Sequence, residues 1–186
     1  MTSGLAFTLT LVVQQLMGYS PIATGAAFLP AGVGGMVGGT LAPRAVAKMG
    51  LRGTALTSIA TFAAGIALVI VFGLNGSIVW VAVGYGVAGI GIVGTAVASM
   101  IAATMRIGQE RRGAAAGLLS TSQQLGGGIG AALAAVIGAS ATLTAYRTTL
   151  ATFIVLLGIA AMIAGTRFVL RPETSEMTRQ HGPEAA

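Results

Sequence analysis

Six long apolar segments, separated by short stretches that hold nearly all the charge, constrain this chain more than any other feature. They run over residues 4–18, 21–43, 53–74, 78–105, 114–138 and 148–170, and Arg167 is the one charge inside them. A helix crossing about 30 Å of hydrocarbon at about 1.5 Å per residue needs about 20 mainly apolar residues. Five of the six segments reach that length. Hydrophobic residues make up 55% of the chain and charged residues 8%, against about 25% charged in a soluble domain. The expected fold is all-α: a polytopic membrane protein with six transmembrane helices over residues 1–171. A polar tail, residues 172–186, is expected to be disordered.

The loops report orientation. Arg44, Lys48 and Arg52 lie between the second and third segments, and Arg106, Glu110, Arg111 and Arg112 between the fourth and fifth. Arg167 and Arg171 end the sixth, and Arg179 follows in the tail. If the segments alternate in direction, all of these share one side, and Arg147 is the only cation on the other. Cations collect on the cytoplasmic side of short membrane loops. Both termini are therefore expected in the cytoplasm, in a multi-pass protein of the plasma membrane. Tyr19, Trp80 and Tyr146 fall at outer helix ends, as an interfacial aromatic belt requires. The net charge of +6 follows from membrane orientation, since the cations form no single face, and no nucleic-acid partner is expected.

The first segment is short. Residues 4–18 make about 22 Å of helix, and no Lys or Arg precedes them. A signal peptide would show a charged start and a small-residue cleavage site, and neither is visible. The expectation is that this helix begins upstream of Met1.

Glycine is abundant, at 29 residues, and small residues let membrane helices approach where lipid supplies no hydrophobic drive. The second segment holds the overlapping pairs Gly34/Gly38 and Gly35/Gly39, and the fifth holds Gly126 to Gly128 and Gly130. These glycines serve close packing or allow helices to bend and slide. The third and sixth segments are richer in Val, Ile, Leu and Phe, which suits lipid-facing positions. Pro30, inside the second segment, removes a helix hydrogen bond and crowds the preceding turn, so a bend is expected there.

The missing residue types exclude whole classes of chemistry. The chain has no Cys and no Asp, and no Glu, His or Lys falls inside a segment. Zinc or di-iron ligation, a Ser-His-Asp arrangement and a carboxylate acid/base pair therefore have no residues within the membrane. No enzyme activity, metal or cofactor is expected. Intramembrane acids, the usual proton relay of transporters, are absent too. What remains is neutral and polar: Gln14 and Gln15 in the first segment, and Ser120, Thr121, Ser122, Gln123 and Gln124 in the fifth. Amides in hydrocarbon are costly unless they bond a neighbouring helix or face water. Gln14, Gln15, Thr121, Gln123 and Gln124 are thus either interhelical hydrogen-bonding groups or the lining of a substrate path.

Gln14-Gln15-Leu-Met-Gly-Tyr-Ser-Pro-Ile-Ala-Thr-Gly-Ala-Ala-Phe-Leu-Pro resembles the start of the C-terminal half of major facilitator superfamily drug transporters, above all the 14-helix drug:proton antiporters of the EmrB/QacA type. The stretch 39–52 resembles the superfamily's cytoplasmic loop motif, with Gly39, Arg44, Lys48, Gly50 and Arg52 in place. Arg111-Arg112-Gly113, followed by Gln123-Gln124-Leu125-Gly126-Gly127 and Gly130, resembles the family's penultimate helix. The resemblance implies two inverted three-helix repeats, alternating access, and a substrate site near the midplane between two six-helix halves. It assigns Gln14, Gln15, Thr121, Gln123 and Gln124 to the substrate path and the basic residues to cytoplasmic latches. Pro30, Gly34, Gly38, Gly126 and Gly130 become packing or hinge positions. The sequence departs from the loop motif at Pro43, where the family has an acid. The half that carries the membrane acids in that family has no counterpart in these residues.

The implied function is the C-terminal half of a proton-coupled efflux antiporter for hydrophobic small molecules. Its partners would be the lipid bilayer and an N-terminal half or a second copy, with protons engaged once paired. Two other readings stand beside it: a membrane fragment without transport activity, or a homodimeric facilitator.

Overall fold

The structure, a computed structural model, describes residues 2–75, 77–104, 111–138 and 142–169. Every regular element among them is helical: α1 (Thr2–Leu11), α2 (Pro21–Val71), α3 (Ile78–Thr104), α4 (Arg112–Gly138) and α5 (Leu143–Val169). The tail at 172–186 lies outside the described residues, as do Arg106, Glu110, Arg171 and Arg179.

The 51-residue α2 is two helices joined at one residue. Gly50 has φ 72° and ψ 174°, and it is the single non-helical residue between Pro21 and Val71. Those angles belong to a region open essentially to glycine alone, so one residue turns the chain. The backbone stays helical through Pro30 and Pro43, and the break falls at the glycine. The basic stretch 44–49 is thus helix rather than loop. A helix can carry cations wherever it emerges from an apolar layer, and apolarity alone cannot mark that end.

Caps set the other boundaries. Ser20 accepts a hydrogen bond from the Ala23 amide at 3.3 Å, with Pro21 opening the helix behind it, as a capping serine and a first-turn proline do. Thr142 accepts from the Ala145 amide at 3.2 Å, so α5 starts five residues before the apolar run beginning at 148 and takes in Arg147.

Helix directions follow from the contacts. Gly34 and Gly38 in the first arm of α2 meet Gly86 and Ile90 of α3, so the two run parallel. In the second arm, Phe62 meets Gly91 while Gly65 meets Gly84 and Ala88, so that arm runs antiparallel to α3. Gln15, in the π turn Val12–Leu16 that continues α1, lies near Tyr146 of α5, and Gly4 near Phe153, which makes α1 and α5 antiparallel. Ser3 meets Gly127 while Gly4 meets Gly130, so α4 runs parallel to α1. The Gly50 turn, with Arg44, Lys48 and Arg52, and the start of α4, with Arg111 and Arg112, therefore lie at one end of the bundle. Arg147 lies at the other.

The core is a seam of large side chains. Leu5 and Leu9 of α1 and Val12 and Val13 just beyond it join one cluster with Ile59, Phe62, Ile66 and Val69 of α2 and with Tyr146, Leu150, Phe153 and Leu157 of α5. The four α5 positions recur at helical spacing, one stripe per helix. The second arm of α2 and α5, expected at the lipid, each give this stripe to the core and expose the opposite face, including Val71, Val155, Ile159 and Met162. Buried threonine hydroxyls are satisfied locally: Thr8 donates to the Gly4 carbonyl at 2.8 Å and Thr149 to the Ala145 carbonyl at 2.9 Å. No buried side-chain polar atom lacks a partner among the described residues.

Candidate functional site

Three described helices are long and apolar enough to cross a membrane: Pro21–Val71, Ile78–Thr104 and, in α5, Leu143–Met162. A shorter apolar helix spans Ser3–Leu16. The 27-residue α4 is long but is not one of the three, because its Ser-Thr-Ser-Gln-Gln run dilutes it.

That helix has three faces. Gly127, Gly130 and Ala134 are buried, and Gly4 packs on Gly130 while Ser3 reaches Gly127. A second face carries Leu118, Leu125, Ile129 and Val136, all exposed, and suits lipid tails. The third carries Gly113, Gly117, Thr121, Gln124 and Gly128, exposed and at helical spacing. A Cβ at Gly113, Gly117 or Gly128 would meet nothing within 4 Å. A small, polar and uncovered helix face offers little to lipid and suits a water-accessible path or a closely approaching partner helix.

The polar side chains divide by their bonds. Thr121 donates to the Gly117 carbonyl at 2.9 Å and Ser122 to the Leu118 carbonyl at 2.8 Å, so both hydroxyls are spent on their own helix. Gln14, Gln123 and Gln124 make no hydrogen bond to protein among the described residues, which leaves their amides for water or a ligand. Gln15 accepts from the Tyr146 hydroxyl at 3.4 Å.

The four glutamines do not converge. Gly4 sits against Gly130; Gln14 lies ten positions beyond the first and Gln124 six before the second. At about 1.5 Å per residue in parallel helices, that is about 24 Å along the bundle. Gln14 and Gln15 occupy the end that holds Arg147, and Gln123 and Gln124 lie well toward the basic end. Any path they line runs lengthwise.

Gly39, Arg44, Lys48, Gly50 and Arg52 surround the α2 break, with the three cations exposed. Arg111, Arg112 and Gly113 open α4. Pro30 packs against α3, since a Cβ on Gly86 would meet the Pro30 Cβ at 3.1 Å. Gly34, Gly38 and Gly130 touch neighbouring backbone, and a Cβ on Gly126 would meet nothing within 4 Å. Among the described residues no group of three His, Cys, Asp or Glu could hold a metal.

Two features had no signal in the sequence. Val12–Leu16 forms a π-helical turn that contains both Gln14 and Gln15. Tyr146, expected in an aromatic belt with Tyr19 and Trp80, is completely buried. Its ring belongs to the core seam between α1 and α5, whereas Tyr19 and Trp80 are exposed.

The family profile of the Major Facilitator Superfamily matches residues 1–185. The chain belongs to this superfamily. It is a multi-pass, all-helical membrane protein of a family of transporters. It is also similar to the puromycin resistance protein pur8 of Streptomyces alboniger, 34% identical over 143 residues, or 75% of this chain. The match spans 28% of that relative's length. No solved structure matches the chain.

Proposed function

We propose that these helices form the C-terminal six-helix half of an efflux transporter for hydrophobic drugs, working by alternating access against a second half in the plasma membrane. The observation that carries this reading is the third face of α4: small, polar, uncovered, and presenting Gln124 with no protein partner. Superfamily membership supports the transport class, and the puromycin resistance relative supports a drug-like substrate. The helices at 2–16, 21–49, 78–104 and 112–138 would line the path, and those at 51–71 and 143–169 would back it.

Inverted repeats are supported by the pairing. The first helix meets the fifth through Gly4 and Gly130, and the second meets the fourth through Gly34 and Gly86. Exchanging the two triplets interchanges these pairs. Arg44, Lys48, Arg52, Arg111 and Arg112 share one end, which we read as cytoplasmic, with both termini on that side. The antiporter class suggests proton coupling. Because no segment contains an acid, the proton-binding carboxylate would have to come from the other half.

The test is drug accumulation in hypersensitive cells, with the chain expressed alone or together with the N-terminal half of the Streptomyces relative. The expected result is lower puromycin accumulation in the paired arm, reversed by Gln124→Ala without change in membrane insertion. Unchanged accumulation in both arms, with the chain verified in the membrane, would overturn the reading. Export with Gln124→Ala equal to wild type would remove Gln124 from the path.

A further inference from the structure

The sequence offers Gln14 and Gln15 as an equivalent pair, and their surroundings separate them. Helix α1 is α-helical to Leu11 and then widens into a π turn over Val12–Leu16, closed by the Met17 amide donating to the Val12 carbonyl at 3.0 Å. The Tyr19 amide donates back to the Val13 carbonyl at 3.0 Å, and Gly18, at φ 71°, releases the chain toward α2. A π turn is rare, and it is frequent at functional sites. It inserts one residue, so every side chain beyond it is rotated about the axis by roughly one residue's step of 100° relative to a continuous α-helix.

The turn is held from outside by the burial of Val12 and Val13 in the core seam and by one side-chain hydrogen bond. Tyr146 is 0% exposed, and a buried tyrosine hydroxyl requires a partner. That partner is the Gln15 carboxamide oxygen, 131 positions away in sequence. Gln14, next in the chain and half-buried, has no protein partner among the described residues.

We propose that the pair has divided roles: Gln15 is an anchor held by Tyr146, and Gln14 is the recognition group that the anchored π turn presents to a substrate carrying a hydrogen-bonding group. Tyr146 is then a positioning residue that sets which way α1 faces at the outer end of the path. This assignment rests on the transport reading above, but its first test does not.

The first readout is hydrogen exchange of the full chain in nanodiscs, followed at the Leu16 and Met17 amides. Tyr146→Phe keeps the buried ring and removes only the donor, and Gln15→Leu removes the acceptor. Each should speed exchange about twofold, the lower end for a hydrogen bond, since this one is long at 3.4 Å. The double variant should exchange no faster than either single one. Gln14→Leu should leave this exchange unchanged. Exchange in Tyr146→Phe equal to wild type, additive effects in the double variant, or an unprotected turn in wild type would overturn the anchor.

The second readout is export of puromycin relative to ethidium in the paired-half assay. Gln14→Leu should change that ratio, and Tyr146→Phe should change it in the same direction. A ratio unaffected by Gln14→Leu would overturn the recognition role. Absence of all export by the wild-type pair would fail the transport reading, while the exchange data would still decide the anchor.

Discussion

The pairing of α2 with α3 and the setting of α4 use the same residue for opposite ends. Along α3, glycines bring two backbones together on both sides: Gly86 and Gly89 meet Pro30 and Ala31 in the first arm of α2, and Gly91 and Gly94 meet Ser58 and Phe62 in the second. No side chain fits between them. Along α4, Gly113, Gly117, Gly126 and Gly128 leave a Cβ in open space. The first region is a slab of three closely packed helices. The second is a helix held on one narrow face, through Gly127, Gly130 and Ala134, with room on the others. Glycine shows that two helices can approach; whether they do depends on what lies opposite.

The sharpest way to break this contrast is to add volume on both sides of it. Gly38→Leu would drive a side chain into the Ile90 backbone and should cost about 3 kcal/mol or more, the upper range of overpacking. Trp80, the chain's one tryptophan, is exposed at the junction of α2 and α3 with its ring 5.0 Å from that of Phe72. Its emission during denaturant titration in micelles therefore reads the slab. An unchanged unfolding midpoint for Gly38→Leu would mean that the arms of α2 are not locked to α3.

A smaller effect is expected at Gly50. Gly50→Ala meets no neighbouring atom within 4 Å but must adopt φ 72°, a strain of about 1–3 kcal/mol. The same Trp80 titration measures it, and a neutral result would place the reversal of α2 elsewhere. The smallest effect belongs to α4. Gly128→Leu should change stability by no more than about 0.5 kcal/mol, as an unobstructed surface position does, while reducing drug export in the paired-half assay. Loss of stability comparable to Gly38→Leu would show that this face is already covered within the chain.

Much of the architecture was readable from hydropathy and charge. The fourth segment, 78–105, coincides with α3 to within a residue, and the fifth, 114–138, with α4 to within two. The ends that carry charge were harder. The second segment was bounded at 43 because Arg44 interrupts the apolar run, yet the helix continues to the Gly50 turn. Charge marks where a helix leaves an apolar layer, and backbone geometry decides where it stops.

The candidate site was legible as a list of groups and not as an arrangement. Gln14, Gln15, Gln123 and Gln124 stand out because amides are rare in such segments. Their separation of about 24 Å depends on how α1 and α4 pack and so has no local signature. The π turn is equally invisible, since Val-Val-Gln-Gln-Leu suits an ordinary α-helix and only a tertiary partner favours the wider turn. Tyr146 shows the same limit: a tyrosine at a helix end reads as interfacial, and the facing core seam buries it.

The sequence by itself determined that this chain is helical, that it belongs in a membrane, and which ends of its helices share the positive charge. Those properties sum over many residues, so no single contact can reverse them. The tertiary structure alone decided which glycines lock and which lie open, which glutamine is anchored and which is free, and where α2 reverses. Each of these depends on the atoms one particular residue meets across the bundle, and residues far apart in the chain supply them.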